Sequence, residues 1–315
     1  MAIKKIFPIN TETSCQAKWA WSTLYLNTGE TASCHRTSKS IIDTDDFEQF
    51  HNTELKIKDR QSMLKGEWPE ESCSYCRKLE ETGDTSDRLL MNQKTTWTPP
   101  EFVNKDDPVN ITPTLVEVFF NNTCNLGCLY CHSGLSSVIA AEDKKFGEFN
   151  KNGVKIILKE PQYKNLVTKF WNWFDVNFTS LSKLNILGGE PFYQKDFYNL
   201  LDKIELNPNP NCELAIVSNL MIDTDKLISV IARFKSLLTH RKVKRIDLTC
   251  SIDCWGAEQE FVRSGLDLEL WEKNFNELLK HKWLYLTINQ TITVLTVKTM
   301  PALLERLNQW RTKQA

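Results

Sequence analysis

The sequence lacks an excess of charge of either sign. It has 315 residues, of which 39 are lysine or arginine and 40 are aspartate or glutamate, so the formal net charge is -1. Proteins that bind nucleic acid or anionic lipid through their overall charge carry a clear positive excess. The composition therefore disfavours nucleic acid as a partner, and only a local basic patch would be compatible with one.

The chain also lacks a long hydrophobic run. No stretch approaches the roughly 20 apolar residues of a membrane span, and the opening from Met1 to Pro8 carries charge without a long apolar core. Internal repeats and low-complexity tracts are absent as well. Hydrophobic residues make up 41% of the chain, which is sufficient for a substantial core. We predict a globular, soluble, cytoplasmic protein of one large or two moderate domains, with no membrane partner.

Cysteine is present in quantity, with ten residues in distinct groups. Because a reducing compartment keeps thiols free, metal binding is favoured over disulfides. The groups are Cys15, Cys34, Cys73 and Cys76 in the first quarter, Cys124, Cys128 and Cys131 together, and Cys212, Cys250 and Cys254 dispersed later. The first two groups predict two metal sites, and we interpret the dispersed cysteines as buried free thiols.

Short apolar runs alternate with helical patterns in the second part of the chain. The predicted strands are Leu115–Phe120, Lys183–Leu187, Glu213–Ser218, Arg245–Ser251 and Leu284–Leu295. The predicted helices are Tyr163–Phe178, Phe197–Ile204, Thr224–Leu238, Leu268–Lys280 and Thr299–Arg311. This alternation implies an α/β fold with a parallel sheet and right-handed crossovers, either doubly wound or a complete or partial barrel.

Distinctive residues follow the predicted strands at their carboxyl ends, where parallel sheets carry their chemistry. Cys124 follows the first strand, Gly188 to Glu190 the second, Ser218 and Asn219 the third, and Asp253 the fourth. We therefore predict one site along this edge of the sheet.

A proline-rich connector precedes the first of these strands. The stretch from Thr95 to Pro113 contains four prolines with several Asn and Asp residues, which interrupt regular structure. We predict a small cysteine-rich module over residues 1–98, a linker over 99–113 and a main domain over 114–315.

The central cysteines have the spacing C-x3-C-x2-C in a loop directly after a strand. We expect Gly127, between the first two, to adopt a positive φ in this tight turn. Three thiolates on a four-iron cluster leave one iron open to a small molecule, whereas a structural zinc site requires four closed ligands.

With Tyr130 before its last cysteine, this motif resembles the signature of the radical S-adenosylmethionine superfamily. The resemblance implies a partial (β/α) barrel of five to six parallel strands, of which five are found here. It implies that Cys124, Cys128 and Cys131 hold a catalytic 4Fe-4S cluster. In that family the open iron binds S-adenosylmethionine, and one electron splits the sulfonium to give methionine and a 5'-deoxyadenosyl radical.

Further strand ends extend the resemblance. Gly188, Gly189, Glu190 and Pro191 resemble the family's Gly-Gly-Glu-Pro element, which binds the methionine amino group, although Gly-Gly-Glu alone is a common turn. The cofactor-binding residues that the resemblance implies are Tyr130, Gly188, Gly189, Glu190, Ser218, Asn219, Ser251, Asp253 and Arg263. For the Ser and Asp residues the alternative is a turn or helix cap, for Arg263 a surface charge, and for Tyr130 simple ring packing.

The N-terminal cysteines surround a predicted hairpin over Trp21 to Cys34, which would bring Cys15 near Cys34. Four thiols could hold zinc or an iron-sulfur cluster. The C-x13-G-x4-C spacing, with Trp68 and Pro69 before Cys73 and Cys76, resembles the SPASM and twitch auxiliary-cluster modules. The one-cluster twitch form fits better, because the next cysteine after Cys76 is Cys124. The resemblance implies one auxiliary iron-sulfur cluster, of the 4Fe-4S type, in a module that usually follows the barrel and here precedes it.

The resemblance implies an enzyme that abstracts hydrogen from a peptide or protein substrate and receives electrons from a donor such as flavodoxin or ferredoxin. A nucleotide or small metabolite is the alternative substrate. From another class, the chain could be a zinc-stabilised binding or scaffold protein with structural cysteines.

Overall fold

The computed structural model describes residues 12–93, 110–147 and 157–314. The fold is mixed α/β with a large, mostly parallel sheet. In the described residues the strands are β1 (Trp21–Tyr25), β2 (Glu30–Ala32), β3 (Ser40–Ile41), β4 (Leu115–Phe119), β5 (Gly127–Cys128), β6 (Lys183–Leu187), β7 (Asn209–Ser218), β8 (Val243–Ser251), β9 (Arg263–Ser264) and β10 (Tyr285–Asn289). The helices are α1 (Gln16–Ala20), α2 (Glu54–Leu64), α3 (Ser74–Glu81), α4 (Asp87–Asn92), α5 (Ser137–Phe146), α6 (Glu160–Asn177), α7 (Lys195–Leu206), α8 (Thr224–Thr239), α9 (Ala257–Val262), α10 (Leu268–Leu279) and α11 (Met300–Gln314).

The chain divides into two compact units. Of the described residues, the first unit contains 12–93, 110–118 and 158–184, and the second contains 119–147, Ile157 and 185–314. Residues 99–109 of the predicted linker lie outside the described residues. The predicted domain limits at residues 98 and 114 stay predictions.

In the second unit the strand order is β10-β8-β7-β6. β7 and β8 are parallel, with Ser218 opposite Cys250, and β8 and β10 are parallel, with Ser251 opposite Asn289. Parallel register therefore brings the carboxyl ends of these strands to one edge, as predicted. Each of the five strands predicted after the linker is present, although β10 is shorter than expected.

The five predicted helices are also present. The spacing of their buried side chains explains why these segments are helical. Along α8, Leu227, Ile231 and Phe234 are buried at intervals of three and four residues, which is the spacing of one helix face. On α6 in the first unit, Phe170 and Phe174 are buried too, with Trp171 against both rings. These aromatic side chains therefore pack against one another on α6.

The first unit contains the predicted hairpin, which directly follows α1. β1 and β2 are antiparallel, with Thr23 opposite Ala32 and Tyr25 opposite Glu30. Gly29 closes the turn at a φ of 71°, a conformation that favours glycine. The strand order is β4-β1-β2-β3.

A polar network lies inside the first unit, next to this hairpin. Nδ1 of His51 is 2.8 Å from the Ser22 hydroxyl, and its Nε2 is 2.9 Å from the carbonyl oxygen of Trp19. Lys56 donates to the Ser22 and Thr31 hydroxyls at 2.8 and 2.7 Å. These buried polar groups are paired with one another, which is the condition for placing them in a core.

At one end of the second unit's strand order, β10 exposes alternate residues, which are Tyr285, Thr287 and Asn289. The barrel, and with it the number of its strands, stays a prediction. Among the described residues, no helix has the length and apolar character needed to cross a membrane.

His51 predicts how stability depends on pH. Burial, together with the charges of Arg60 and Lys56, holds the pKa of His51 well below its ordinary value of 6.5. Below about pH 6.5, His51 therefore binds a proton in the unfolded chain but not in the folded chain. We expect the free energy of unfolding to fall by about 1 kcal/mol from this residue between pH 6.5 and 5.5.

Urea unfolding at both pH values checks this expectation, with His51→Gln as the comparison. The variant should be less stable at pH 7 and should lose less on acidification. An equal loss in both proteins would contradict the assignment.

Candidate functional site

One cavity of about 270 Å³ in the second unit brings together most of the predicted site residues. The predicted residues on its wall are Cys124, Cys128, Cys131, Tyr130, Gly188, Gly189, Ser218, Asn219, Ser251 and Arg263. Glu190 and Asp253 are almost completely buried and do not line it. The residues at the carboxyl ends of the strands therefore form one wall of a cavity. The carboxylates of Glu190 and Asp253 are buried behind that wall.

Backbone hydrogen bonds hold the cysteine loop in shape. β5 pairs antiparallel with β9, so that Cys128 lies opposite Arg263. The hydroxyl of Ser137 holds the backbone of the first cysteine, because it accepts from Cys124 N at 3.1 Å and donates to Cys124 O at 3.0 Å. Cys131 N donates to the carbonyl oxygen of Cys128 at 2.9 Å.

The expectation of a positive φ at Gly127 is wrong. Gly127 lies in the extended strand β5 and is not among the glycines with positive φ. A Cβ at this position would lie 3.2 Å from a methyl carbon of Val138 on α5. The glycine therefore permits close packing of that helix, and the turn conformation does not require it.

The three cysteines of the loop act on one another electrostatically. Burial raises the pKa of Cys124 and of Cys128 to about 11, and it also raises the pKa of Cys131. The charge of Cys128 raises the pKa of Cys124 further, that of Cys131 acts on Cys128, and that of Cys124 on Cys131. These thiols are therefore close together and favour the neutral form unless a cation offsets the charge.

Within residues 12–93, 110–147 and 157–314, no group of three or more His, Cys, Asp and Glu side chains is arranged to hold a metal ion. In a four-iron cluster the thiolates bind separate irons, so its ligands are spread more widely than those of a single ion. Cys124, Cys128 and Cys131 share one cavity wall, which suits the wider spacing.

The glycine turn after β6 packs tightly against the cysteine loop. Gly188 and Gly189 have φ values of 85° and 55°. A Cβ on Gly188 would lie 2.6 Å from the ring of Phe119, and one on Gly189 would lie 2.2 Å from the carbonyl oxygen of Thr123. Glu190 N donates to that same oxygen at 2.8 Å. Both glycines are therefore needed for the approach of neighbouring groups.

Glu190 binds the end of β7. Its Oε1 accepts from the Ser218 hydroxyl at 2.9 Å and from Phe192 N at 3.2 Å, and its Oε2 accepts from Asn219 N at 2.6 Å. Burial raises the pKa of Glu190 to about 7, and these hydrogen bonds oppose the rise. A carboxylate oxygen can accept two hydrogen bonds. The interaction of Glu190 with an ammonium stays a prediction.

Asp253 holds two residues of the cavity wall. Arg263 donates to it from Nε at 2.8 Å and from one terminal amino group at 2.9 Å, and the Tyr130 hydroxyl donates at 2.5 Å. Thr291 N donates to Asp253 as well, at 2.8 Å. The positive charge of Arg263 lowers the pKa of Cys128 against the effect of burial. Asp253 therefore fixes a guanidinium beside the cysteines.

Sequence reasoning missed Asn125 and Gln194. The Asn125 side chain accepts from Asn219 Nδ2 at 3.0 Å, and the same Nδ2 lies 3.8 Å from Cys124 Sγ. Gln194 donates to the carbonyl oxygen of Gly188 at 2.6 Å. Asn125 stands inside the cysteine motif, which could have drawn attention to it, whereas no pattern marks Gln194.

The N-terminal cysteines converge in the first unit. Cys15 immediately precedes α1, Cys34 follows β2, and Cys73 and Cys76 lie at the start of α3. Burial raises the pKa of Cys15 and of Cys73 to about 12, and the charge of Cys34 raises both further. Cys76 raises the pKa of Cys34 and of Cys73 as well. The hairpin and α3 thus bring four thiols together.

The remaining cysteines, which are Cys212, Cys250 and Cys254, are completely buried and form no disulfide. Their interpretation as buried free thiols is confirmed.

No protein-family model matches the chain, and no curated protein matches it. Among solved structures, SuiB of Streptococcus suis bound to the precursor peptide SuiA is similar, at 15% identity over 76% of this chain and 50% of SuiB, with a TM-score of 0.43. A second structure of SuiB and one of SuiB bound to S-adenosylmethionine each match 91% of this chain at 14% identity, covering 57% and 58% of SuiB, with TM-scores of 0.42. The chain spans about half the length of these SuiB structures.

The packing at Gly189 predicts what alanine does there. In Gly189→Ala the added Cβ would collide with the backbone of Thr123, so the cysteine loop must move. We expect faster alkylation of Cys124, Cys128 and Cys131 in the metal-free protein, measured by mass spectrometry of modified peptides.

Gly83→Ala is the matched control, because Gly83 has a φ of 79° with nothing within 4 Å of an added Cβ. It should suffer only the backbone strain, roughly 1 kcal/mol, and leave alkylation unchanged. Equal alkylation in both variants would contradict the proposed packing effect.

Proposed function

We propose that this chain is a radical S-adenosylmethionine enzyme, in which Cys124, Cys128 and Cys131 hold a 4Fe-4S cluster. One observation carries the proposal. The three thiols line the same cavity as Gly188 and Gly189, at the carboxyl ends of parallel strands. The cysteine motif and the glycine turn are more than 50 residues apart in the chain. Sequence patterns alone predicted that both belong to one site.

The residues on this wall suit such a cluster. Three thiolates satisfy three irons and leave one open. Arg263 provides a buried positive charge near Cys128 and Cys131, which offsets the negative charge of their thiolates. When bound, the cluster supplies the electron that cleaves S-adenosylmethionine to methionine and a 5'-deoxyadenosyl radical.

The other residues bind and orient S-adenosylmethionine in this proposal. Arg263 uses Nε and one terminal amino group on Asp253, so its second terminal amino group is the donor for a carboxylate in the cavity. Asp253 acts as a positioning residue for that contact. The proposed binding residues are Tyr130, Gly188, Gly189, Glu190, Ser218, Asn219, Ser251 and Arg263.

For the first unit, we infer that Cys15, Cys34, Cys73 and Cys76 hold one auxiliary iron-sulfur cluster of the 4Fe-4S type. The convergence of four thiols, two of them buried and two half-buried, supports this proposal. Zinc is the alternative ion, because four thiolates suit both. In the same proposal, the auxiliary module covers residues 1–98 and the partial barrel covers residues 114–315.

Hydrogen abstraction from a peptide or protein is the proposed reaction, with an electron donor such as flavodoxin or ferredoxin. The substrate class rests on the resemblance of the N-terminal cysteines to SPASM and twitch modules.

To test the activity, the anaerobically reconstituted and reduced protein is incubated with S-adenosylmethionine and with peptides from a cell lysate. Mass spectrometry should detect 5'-deoxyadenosine together with a peptide of altered mass. About eight irons per chain are expected for two four-iron clusters. Stoichiometric zinc without iron would instead show that the cysteines are structural ligands, as in a zinc-stabilised binding or scaffold protein.

Cys128→Ala should abolish S-adenosylmethionine cleavage, because a three-thiolate cluster has no spare protein ligand. Iron content should fall by about half. Cys212→Ala is the control, since Cys212 is a buried thiol of the same unit away from the cavity wall. Production of 5'-deoxyadenosine by Cys128→Ala at the parent rate under dithionite would exclude this triad as the catalytic site.

Replacing Cys73 and Cys76 together by alanine should remove the metal of the first unit and leave the cluster of the second. About half of the iron should be lost, while slow cleavage of S-adenosylmethionine continues without product formation. Metal analysis and the ratio of 5'-deoxyadenosine to modified peptide provide the measurement. Parent iron content or full turnover would count against an auxiliary cluster.

A further inference from the structure

A left-handed backbone conformation follows β7 in the second unit. Leu220 has a φ of 59°, and its side chain is completely buried. A bulky residue such as leucine rarely adopts this conformation, so surrounding groups must hold it in place. Asn219 lines the cavity directly before Leu220. The conformation at Leu220 therefore determines how the chain leaves the cavity wall.

The side chain of Asn274 on α10 holds the turn at Leu220. Its Nδ2 donates to the carbonyl oxygens of Leu220 and Ile222, at 2.9 and 2.7 Å. Its Oδ1 accepts from the Thr224 hydroxyl at 2.9 Å. Asn274 is completely buried, so removal of its amide would leave two buried carbonyl groups without these hydrogen bonds, which is costly.

Asn125 in the cysteine loop holds the middle of the same turn. Its Nδ2 donates to the carbonyl oxygen of Met221 at 2.7 Å, and its Oδ1 accepts from Asn219 Nδ2 at 3.0 Å. Asn219 Nδ2 also donates toward Cys124 Sγ at 3.8 Å, and its Oδ1 accepts from Met221 N at 2.8 Å. Three amide side chains thus connect α10, the turn and the first cysteine of the loop.

The beginning of the turn is joined to the cavity wall and to the carboxylate behind it. Asn219 N donates to Glu190 Oε2 at 2.6 Å, and Leu220 N donates to the Ser218 hydroxyl at 3.0 Å. Asn274 does not line the cavity, and its contacts lie on the far side of the turn. It therefore acts on the cavity only through the backbone of the turn.

We propose that Asn274 is a positioning residue of the cavity. It holds the left-handed turn at Leu220 and, through that turn, the amide of Asn219 beside Cys124. This inference rests on the proposed function, in which Cys124 holds the cluster and Asn219 contacts S-adenosylmethionine. Without the Asn274 amide, Leu220 would relax toward a negative φ, because that region is sterically favoured. The Asn219 side chain would then leave its position beside Cys124.

The first test uses the metal-free full chain and therefore requires no cluster. In Asn274→Leu the side chain keeps a similar size but donates no hydrogen bond. Alkylation of Cys124 relative to Cys131 should rise roughly fivefold, because local opening then costs about one hydrogen bond less. Mass spectrometry of the modified peptides measures both rates. Cys131 is the internal reference, because it is a half-buried thiol of the same loop, as Cys124 is.

Leu278→Ala is the matched control for a loss of stability. Leu278 is completely buried on the same helix, and truncation to alanine weakens the core. Alkylation should then rise at all thiols of the unit, including the completely buried Cys212, without a change in the ratio of Cys124 to Cys131. A merely structural role of Asn274 predicts this same pattern for Asn274→Leu, and that result would overturn the proposal.

Thr224→Val is a milder second variant, for the case that Asn274→Leu does not fold. It removes the hydroxyl that orients the Asn274 amide and keeps the shape of the side chain. The ratio of Cys124 to Cys131 alkylation should rise in the same direction, by a smaller factor. An unchanged ratio in this variant would also count against the positioning role.

The second test measures S-adenosylmethionine binding to the reconstituted protein by calorimetry. Asn274→Leu should weaken binding roughly fivefold, which corresponds to the same lost hydrogen bond, whereas Leu278→Ala should bind as the parent does. Parent-like affinity in Asn274→Leu would contradict the proposal. If the reconstituted parent itself does not bind S-adenosylmethionine, the proposed function fails. The alkylation ratio decides the positioning role in either case, so the two failures are distinguishable.

Discussion

The energetic cost of burying a negatively charged thiolate governs both cysteine groups. Desolvation is the leading cause of the raised pKa at Cys15, Cys73, Cys124 and Cys128. A thiol with a pKa near 11 or 12 is protonated at neutral pH and is a poor ligand until a cation compensates for the lost hydration. At the proposed sites, metal binding would therefore release protons, and affinity would rise with pH. The fold places cations and hydrogen-bond donors around both groups of thiols.

In the second unit, close packing and hydrogen bonds hold the surroundings of the thiols in place. Gly189 allows the Thr123 carbonyl to approach, and Glu190 ties the end of β7 to the turn after β6. The cysteine loop, the glycine turn and the polar strand ends are consequently one connected structure. A change in any of them should move the cavity wall as a whole, so loss of cofactor binding in a variant need not mean that the altered residue touches the cofactor.

Much of this could be predicted from the sequence, because periodicity and turn chemistry are local properties. The strands and helices after residue 113, the hairpin around Gly29 and the buried dispersed cysteines all follow from such patterns. The prediction of a positive φ at Gly127 was wrong, because this position requires glycine for close packing against Val138 on α5, which the local sequence does not reveal. The pairing of Asp253 with Arg263 and Tyr130, and that of Lys18 with Asp59 across 41 residues of chain, depends on tertiary packing. No spacing in the sequence marks which of several charged residues will be buried.

The two cysteine groups share an arrangement that neither motif contains. Each unit contains a buried ion pair, Lys18 with Asp59 in the first and Arg263 with Asp253 in the second. The aspartate pairs with the cation and so makes its burial tolerable in the metal-free chain. Each ion pair is neutral as a whole, and its cation opposes the effect of burial on nearby thiols, Lys18 at Cys73 and Arg263 at Cys128.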